Sequence, residues 1–477
     1  MANDLKKVEF VDESESENQL DSNMKLLRNL RFQHIVDINM VRVFFVVLFA
    51  AAIAAAIPAL RPSYSEIEKR DLQEFPEFTF NALLSGDYFD GINLWFSDTF
   101  PVRDNFVELN TYVTNTFGIN TVQVHGDVEQ GDEIPDVIPQ GSQPSSEDTS
   151  ASEPSQDSTS SEPPENSAPP APVGPVVEQL GAILIVDNAA YEYYNFNKNV
   201  ANSYAGVVNR AAELLKDKSQ VYDMIIPTSM GVTLPQSVRE TVKSSNQKSA
   251  IEYMYSLMSG DVKKVDCYSK LMSKRDEYIY FRTDHHWTSL GAYYSYRELM
   301  DTMGKKAADL SSFVEYRFDG YLGSFYSQSG KKPQLSNTPD HVMAYAPSQF
   351  NNIHTITQTG ATVDFPIIRD GNTMSTSSKY LAFVGGDNPL GTMVNPEITD
   401  GSSCLVIKES FGNAMVGFLT QNYGTVYVVD YRYISKVYPG TLINFVDERG
   451  IQDVIFVNNI SATRSPTLVN AISAFIG

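Results

Sequence analysis

Four short, wholly apolar runs near the C-terminus constrain the fold of this chain most strongly. They cover residues 380–384, 404–407, 426–429 and 454–457. Strands that are apolar along their whole length are typical of sheets buried on both faces. Further apolar runs at 182–186, 224–226 and 278–281 alternate with segments of helical spacing at 204–215, 251–258 and 288–300. The pattern predicts an α/β domain over 178–477, with a parallel sheet flanked by helices, in which the weaker pattern of 305–378 indicates loops or an inserted subregion.

A second apolar stretch lies near the N-terminus. Residues 43–60 contain no charged side chain, and eighteen helical residues span about 27 Å, which is just enough to cross a bilayer. We therefore expect a single transmembrane anchor at 41–61, with 1–40 as a cytoplasmic tail and the rest of the chain outside the cell membrane. The alternative is a signal peptide cleaved near Ala54-Ala55-Ala56. The roughly forty residues that precede the apolar run are long for the charged N-terminal region of a signal peptide, so we favour an anchor.

The formal net charge of −22 is unevenly distributed. Residues 127–175 hold eleven acidic residues and no Lys or Arg, and 141–175 hold ten Ser and eight Pro. A segment of this composition buries too little apolar surface to offset its ordering entropy. It predicts a disordered linker or insertion at 127–177, between a helical part at 64–126 and the α/β domain. So acidic a chain is not expected to bind nucleic acid, because phosphate contacts require clustered Lys and Arg.

The segment Asp284-His285-His286-Trp287 contains two of the six histidines in the chain. A neutral imidazole is the usual general base near neutral pH, and a carboxylate fixes its tautomer and stabilises its charged form. In an extended segment, residues two apart share a face, so Asp284 would pair with His286 while His285 points the other way. The alternative is a polar turn with a purely structural role.

A base needs a nucleophile, and Ser410 is the best candidate. It follows the apolar run 404–407 at the start of a helical segment, 414–419, which is where ligands bind at the edge of an α/β sheet. The N–H groups of Phe411 and Gly412 would be available to stabilise an oxyanion, and Gly412 would leave room for a substrate. The turn at 385–389 adds Gly386 and Asn388 as oxyanion or substrate-binding candidates. The alternatives are a helix cap at Ser410 and an ordinary surface turn at 385–389.

These residues resemble the signature of the DHHW proteins of Gram-positive bacteria, which are similar to the SGNH-hydrolase-like domains of alginate O-acetylation proteins. In that group an Asp-x-His-Trp element precedes a Ser at the start of a helix, as Asp284, His286 and Ser410 do here. Residues 96–103 also resemble a family segment that packs beside the catalytic domain. The resemblance covers about residues 64–126 and 178–477, and it implies an SGNH-like domain with a Ser-His-Asp triad.

The resemblance also implies a function. We expect a membrane-anchored, extracytoplasmic O-acetyltransferase or acetylesterase that acts on cell-surface polysaccharide, with a membrane-bound acyltransferase as a partner that supplies the acyl group. No cofactor is expected, and neither a GxGxxG nor a Walker motif is present. Cys267 and Cys404 are too few for a disulfide framework or a zinc site; they could form one bridge, although Cys404 lies in an apolar run typical of the core.

Two other functions remain open at the level of sequence. One is a metal-dependent hydrolase in which Asp284 and His285 or His286 are joined by His341 or His354, since such a site needs three or more ligands. The other is a non-catalytic glycan-binding or scaffold protein with the same fold.

Overall fold

The computed structural model describes residues 39–40, 42–46, 61–65, 70–76, 78–80, 87–101, 122–137 and 180–477. The chain divides into two compact units, 1–107 and 108–477. Most of the predicted anchor, most of the Ser/Pro region and residues 102–121 of the predicted helical part lie outside the described residues. Among the residues that are described, no helix combines the length and the apolar character that a bilayer crossing requires.

The described residues of the first unit include the small antiparallel pair of β1 (Tyr64–Ser65) and β2 (Arg70–Asp71), and the helix α1 (Asp87–Asp98). Residues 39–40 and 42–46 are also helical. The helix α1 lies within the part predicted to be helical, and it ends shortly before Pro101, which cannot continue it. The Arg61 guanidinium lies 3.9 Å above the Trp95 ring and donates to Thr99 Oγ1 at 2.8 Å.

The second unit contains thirteen strands in its described residues. They are β3 (Val122–His125), β4 (Ile183–Val186), β5 (Ala189–Glu192), β6 (Gln220–Ile226), β7 (Val262–Lys264), β8 (Phe313–Tyr321), β9 (Asp340–Pro347), β10 (Ile353–Ile356), β11 (Thr362–Phe365), β12 (Leu390–Val394), β13 (Ser403–Lys408), β14 (Thr425–Asp430) and β15 (Asp453–Asn459). The α-helices are α2 (Lys198–Leu214), α3 (Ser229–Val232), α4 (Gln236–Arg239), α5 (Gln247–Leu257), α6 (Cys267–Met272), α7 (Ser289–Met303), α8 (Ser324–Gln328), α9 (Pro333–Ser336), α10 (Val416–Leu419), α11 (Leu442–Arg449) and α12 (Pro466–Ile476).

A central sheet of eight strands organises this unit, in the order β11-β10-β12-β14-β13-β15-β6-β7. From β14 to β7 neighbouring strands are parallel, and β11, β10 and β12 add three antiparallel pairings at the other side. The α/β prediction is confirmed, but the sheet is mixed rather than parallel throughout. The apolar runs 404–407, 426–429 and 454–457 are central strands, because both of their faces are covered by core side chains.

Two predicted strands are wrong. The run 380–384 forms a 3₁₀ helix, Lys379–Ala382, and only Phe383 makes an isolated bridge, to Ile368. The run 278–281 likewise contributes a single bridge, between Tyr280 and Trp287. Both runs are buried, and an apolar run of four or five residues has the same periodicity in a buried turn of helix as in a strand.

The segment 305–378 is more regular than its sequence pattern indicated. It contains the antiparallel pair β8–β9, the edge strand β11 of the central sheet and its neighbour β10. The strands β3, β4 and β5 precede the central sheet's strands in the chain and form a separate antiparallel sheet, in which β3 pairs with a strand from beyond the Ser/Pro region. Residues 127–137 are also attached to this unit, because Asp132 N–H donates to the Phe196 carbonyl at 2.7 Å. Cys267 and Cys404 are both buried and both free.

Candidate active site

Asp284, His286 and Ser410 come together in one chain of hydrogen bonds. His286 Nδ1 lies 2.6 Å from Asp284 Oδ1, and His286 Nε2 lies 2.7 Å from Ser410 Oγ. All three side chains are buried. Both distances are within the reach that a base and its nucleophile require. With its proton on Nδ1, the imidazole donates to the carboxylate and presents Nε2 as the acceptor for the serine hydroxyl.

The Asp284–His286 pairing arises from a turn rather than from an extended strand. The backbone N–H of His286 donates to Asp284 Oδ1 at 3.0 Å, so the aspartate closes a local turn of the kind that Asp side chains favour. The prediction that His285 points away is wrong for the same reason. Its ring lies beside the His286 ring, with centroids 3.7 Å apart, and its Nδ1 is 2.7 Å from Ser324 Oγ.

The loop before α8 holds the other side of Asp284. Ser324 N–H donates to Asp284 Oδ2 at 2.8 Å. A Cβ on Gly323 would lie 2.3 Å from the Asp284 side chain, so only glycine fits there. Burial alone would raise the pKa of the Asp284 carboxyl, but the two histidines that follow it and the Ser324 N–H bring that pKa well below its ordinary value. Asp284 is therefore a carboxylate at neutral pH.

Asp340, at the start of β9, fixes the approach to this turn. Its buried carboxylate accepts hydrogen bonds from Thr283 N–H and Oγ1, each at 2.7 Å, and from Arg282 N–H at 3.0 Å. Tyr278 OH donates to it at 2.6 Å. The carboxylate thus satisfies two consecutive backbone donors of a segment that has no regular secondary structure.

Ser410 begins the 3₁₀ helix Ser410–Ala414, which directly follows β13 and precedes α10. Its turn is organised by the buried side chain of Glu409. Glu409 Oε2 accepts from Phe411 N–H at 2.8 Å and lies 3.1 Å from Ser410 Oγ, and Oε1 accepts from Asn459 N–H at 2.8 Å. Gly412 N–H donates to the Glu409 carbonyl at 3.1 Å. The two N–H groups expected at an oxyanion therefore both donate to Glu409.

The space beside Gly412 is also used differently from the expectation. A Cβ on Gly412 would lie 2.6 Å from the Lys408 side chain, so the glycine makes room for a lysine of the protein rather than for a substrate. Lys408 itself is buried and its Nζ pairs with Asp430 Oδ2 at 2.8 Å.

Two aromatic residues join the histidine turn to the serine turn. Trp287 Nε1 donates to the Phe411 carbonyl at 2.9 Å. The Tyr380 ring stacks on His286 with 3.8 Å between centroids, and its hydroxyl donates to the Ser410 carbonyl at 3.1 Å. Trp287 belongs to the sequence motif, whereas Tyr380 was assigned to a strand and its role was missed.

Gly386 and Asn388 do not present donors toward Ser410. Gly386 N–H donates to the Phe383 carbonyl at 2.9 Å, and Asn388 Nδ2 lies 3.4 Å from the Gly385 carbonyl. Both bonds are internal to the turn. Gly385 and Gly386 have φ of 70° and 85°, a region that glycine adopts without strain. The residue of this turn that contacts the serine turn is Asp387, which accepts from Asn413 Nδ2 at 2.8 Å.

The metal alternative rests on Asp284, His285 and His286, whose candidate ligand atoms lie within 4.8 Å of one another. His341 stacks on Tyr278 and His354 pairs with Asp364 at 2.8 Å, so neither belongs to this group. Both nitrogens of His286 face protein partners, namely Asp284 and Ser410. A metal on His286 would have to replace one of those contacts.

Comparisons with known proteins place the chain in a family. Residues 68–161 and 170–429 match the family model described as DHHW protein. The fold is similar to that of a DHHW family protein from Eubacterium siraeum, with 24% sequence identity, coverage of 64% of this chain and 98% of that chain, and a TM-score of 0.56. It is also similar to PatB1 of Bacillus cereus, with 19% identity, coverage of 60% and 98%, and a TM-score of 0.51. The O-acetyltransferase domain of Pseudomonas putida AlgJ is more distant, with 14% identity, coverage of 60% and 96%, and a TM-score of 0.33.

No curated protein matches the chain. The family model nevertheless spans both the histidine turn and the serine turn described above. The chain therefore belongs to the DHHW protein family.

Proposed function

We propose that this protein is an SGNH-like acyl-transfer enzyme with Ser410 as the nucleophile, His286 as the general base and Asp284 as the residue that orients the base. The observation that carries the proposal is the buried chain of hydrogen bonds from Asp284 Oδ1 through His286 to Ser410 Oγ, with distances of 2.6 and 2.7 Å. A nucleophile, a base and an orienting carboxylate in series are the arrangement that nucleophilic catalysis by serine requires.

The proposed reaction has two halves. Ser410 Oγ attacks the carbonyl carbon of an ester while His286 Nε2 takes the hydroxyl proton, and Asp284 stabilises the imidazolium that forms. The imidazolium then gives this proton to the leaving alkoxide oxygen, which departs as the alcohol and leaves an acyl-serine. In the second half, a sugar hydroxyl or water gives its proton to His286 and attacks the acyl carbonyl carbon. The bond from that carbon to Ser410 Oγ then breaks, His286 returns the proton to Oγ, and the acylated sugar or the free acid leaves.

The sequence offers four candidate donors for an oxyanion, namely Phe411, Gly412, Gly386 and Asn388. Each of them donates to an acceptor within the protein, as described above. This observation favours a second candidate function, a non-catalytic glycan-binding or scaffold protein, because an oxyanion would have to compete with the Glu409 carboxylate for the Phe411 N–H. The experiment below separates the two functions.

We further propose that the substrate is an O-acetyl group on a cell-surface polysaccharide, and that the protein is a single-pass membrane protein with its catalytic unit outside the cell. The support is the motif at 284–287, which resembles that of O-acetylation proteins, together with the apolar segment 43–60. Acetyl-CoA is not expected outside the cell, so a transferase would need a membrane-bound acyltransferase as its acyl source.

The test is turnover of an aryl acetate by the full-length protein, together with covalent labelling by a sulfonyl fluoride, which reacts with activated serines. Ser410→Ala is expected to abolish labelling and to lower kcat by about 10⁴-fold or more, as removal of a triad member does. Ser203→Ala is the matched control, because Ser203 lies exposed on α2 and its hydroxyl contacts only the Asn199 carbonyl among the described residues.

Each outcome decides between the candidate functions. Full turnover by Ser410→Ala would show that Ser410 is not the nucleophile. Turnover that is lost with a chelator and kept in Ser410→Ala would favour a metal site at Asp284, His285 and His286. A folded wild-type protein that neither turns over the ester nor reacts with the sulfonyl fluoride would favour the scaffold.

A further inference from the structure

A cluster of four buried or half-buried charges lies directly beside the serine turn. It consists of Lys408, Asp430, Arg432 and Asp387. Asp430 Oδ2 is 2.8 Å from Lys408 Nζ and 2.7 Å from Arg432 Nη2. Two cations face two carboxylates, so the formal charges of the cluster cancel.

Asp387 differs from the other three members in its exposure. Its side chain is 30% exposed, whereas those of Asp430, Lys408 and Arg432 are 0–3% exposed. Three cation or amide contacts converge on one of its oxygens, Oδ1: Asn413 Nδ2 at 2.8 Å, Arg432 Nη2 at 3.1 Å and Lys408 Nζ at 3.7 Å. Within the described part of the chain, no hydrogen bond is found to Oδ2. Asp387 is thus a carboxylate held through Oδ1, with part of its side chain exposed.

The position of Asp387 relates it to the proposed nucleophile. Asn413 lies three residues after Ser410 and Lys408 lies two residues before it, so Asp387 contacts both sides of the serine turn. Burial alone would raise the pKa of the Asp387 carboxyl, but Arg432, Lys408 and the Asn413 amide bring that pKa well below its ordinary value, so Asp387 is ionised. The left-handed backbone at Gly385 and Gly386 is what turns the chain so that Asp387 reaches this place.

We propose that Asp387 Oδ2 accepts a hydrogen bond from a free hydroxyl of the sugar that carries or receives the acyl group, which makes the site selective for uncharged, polyhydroxylated substrates. The proposal rests on the function proposed above. An ionised carboxylate is only an acceptor, so its partner must bring an O–H or N–H donor. A sugar carboxylate at the same place has no donor to offer and would meet a like charge. An ammonium group at the same place would meet the like charges of Arg432 and Lys408, which lie 3.1 and 3.7 Å from Asp387 Oδ1, so a neutral hydroxyl is favoured over it.

The experiment compares three acetyl esters with the full-length protein: methyl 6-O-acetyl-glucoside, which has free hydroxyls, the peracetylated methyl glucoside, which has none, and an aryl acetate. Asp387→Asn is expected to lower kcat/KM for the monoacetyl sugar by about 10- to 100-fold, since a hydrogen bond to a charged group is lost. The fall in kcat/KM is expected mainly from a rise in KM. For the two esters without a free hydroxyl, the fall in kcat/KM should be at least tenfold smaller. Asp319→Asn is the matched control, because Asp319 is an exposed carboxylate that also pairs with an arginine, Arg317.

Several results would overturn the proposal. An equal loss on all three esters would mean that Asp387 acts through the fold or through Ser410 rather than on a substrate hydroxyl. No loss on any ester, or a wild-type protein that turns over the aryl acetate but not the monoacetyl sugar, would also exclude it. If Asp387→Asn does not fold, Asp387→Glu replaces it in the experiment, because glutamate keeps the charge and displaces the carboxylate oxygen. Unchanged ratios of kcat/KM among the three esters would then exclude the proposal. Failure of the proposed function itself gives a different result, namely equal turnover of the aryl acetate by Ser410→Ala and wild type.

Discussion

Replacement of Asp284 by Asn tests the role of the histidine turn most directly. Asp284 accepts from two donors of His286 at Oδ1, N–H at 3.0 Å and Nδ1 at 2.6 Å, and from Ser324 N–H at Oδ2, at 2.8 Å. Asparagine supplies only one carbonyl oxygen and places an NH₂ group at the other position. One of the two sets of donors must therefore face another donor.

The two orientations of the asparagine have different costs. If the carbonyl faces Ser324, the NH₂ group faces His286 Nδ1, which must then lose its proton, so that the imidazole carries its proton on Nε2 and cannot accept one from Ser410. Loss of the correct tautomer in such triads lowers kcat by about 10⁴-fold. If the carbonyl faces His286, the tautomer is kept, but a buried N–H of Ser324 loses its partner at about 1–3 kcal/mol.

The assay is kcat for an aryl acetate together with the free energy of unfolding in urea. We expect a loss of about 10³- to 10⁴-fold in kcat, or a loss of about 1–3 kcal/mol in stability, or both. Asp364→Asn makes the same change in the exposed pair of His354 and Asp364 and should alter neither quantity. Activity within tenfold of wild type and unchanged stability in Asp284→Asn would refute the assignment of Asp284 as the orienting carboxylate.

Two further predictions concern a glycine and a buried carboxyl. Gly323→Ala places a Cβ against the Asp284 side chain and should lower kcat by about 10²-fold, because the carboxylate is displaced. The control is Gly206→Ala on α2, whose Cβ meets no atom within 4 Å and should stabilise the protein by about 0.5–1 kcal/mol. Equal kcat in the two variants would contradict the prediction. Burial raises the pKa of Asp223 to about 7, so the folded protein holds a proton that the unfolded chain releases, and stability should fall by up to about 4 kcal/mol as pH rises from 4 to 7. Asp223→Asn, which keeps an acceptor for the Tyr204 hydroxyl, should remove this dependence in urea unfolding at the two pH values, and an unchanged slope would refute it.

The sequence predicted those parts of the fold whose signal is local. The central strands β13, β14 and β15 are apolar along their whole length, and only a sheet covered on both faces accommodates them. The run 380–384 has the same composition, yet it becomes a 3₁₀ helix that brings Tyr380 onto His286. What distinguishes these runs is the tertiary position available to each, and short apolar runs do not encode that position.

The residues of the candidate site likewise include some that the sequence identifies and others that only tertiary contacts identify. The motif Asp284 to Trp287 and the serine after β13 could be found because their residue types and order carry chemistry. Glu409 could not, because its effect depends on which of several N–H groups its carboxylate reaches, and in this structure it reaches the Phe411 N–H. Asp387 lies between two residues that were singled out, Gly386 and Asn388, and only the contact with Asn413 distinguishes it from them.

The pairing of β3 with β4 has a consequence for how the chain can vary. His125 and Ile183 are direct partners in that pairing, so the intervening stretch leaves and returns at points about 5 Å apart. In general, each doubling of the length of a loop adds only about 0.6 kcal/mol to the entropic cost of closing it. Residues 138–179 carry seven carboxylates and no Lys or Arg. Insertions and deletions at this position can therefore change the charge and reach of the protein with little thermodynamic effect on the pairing of β3 with β4.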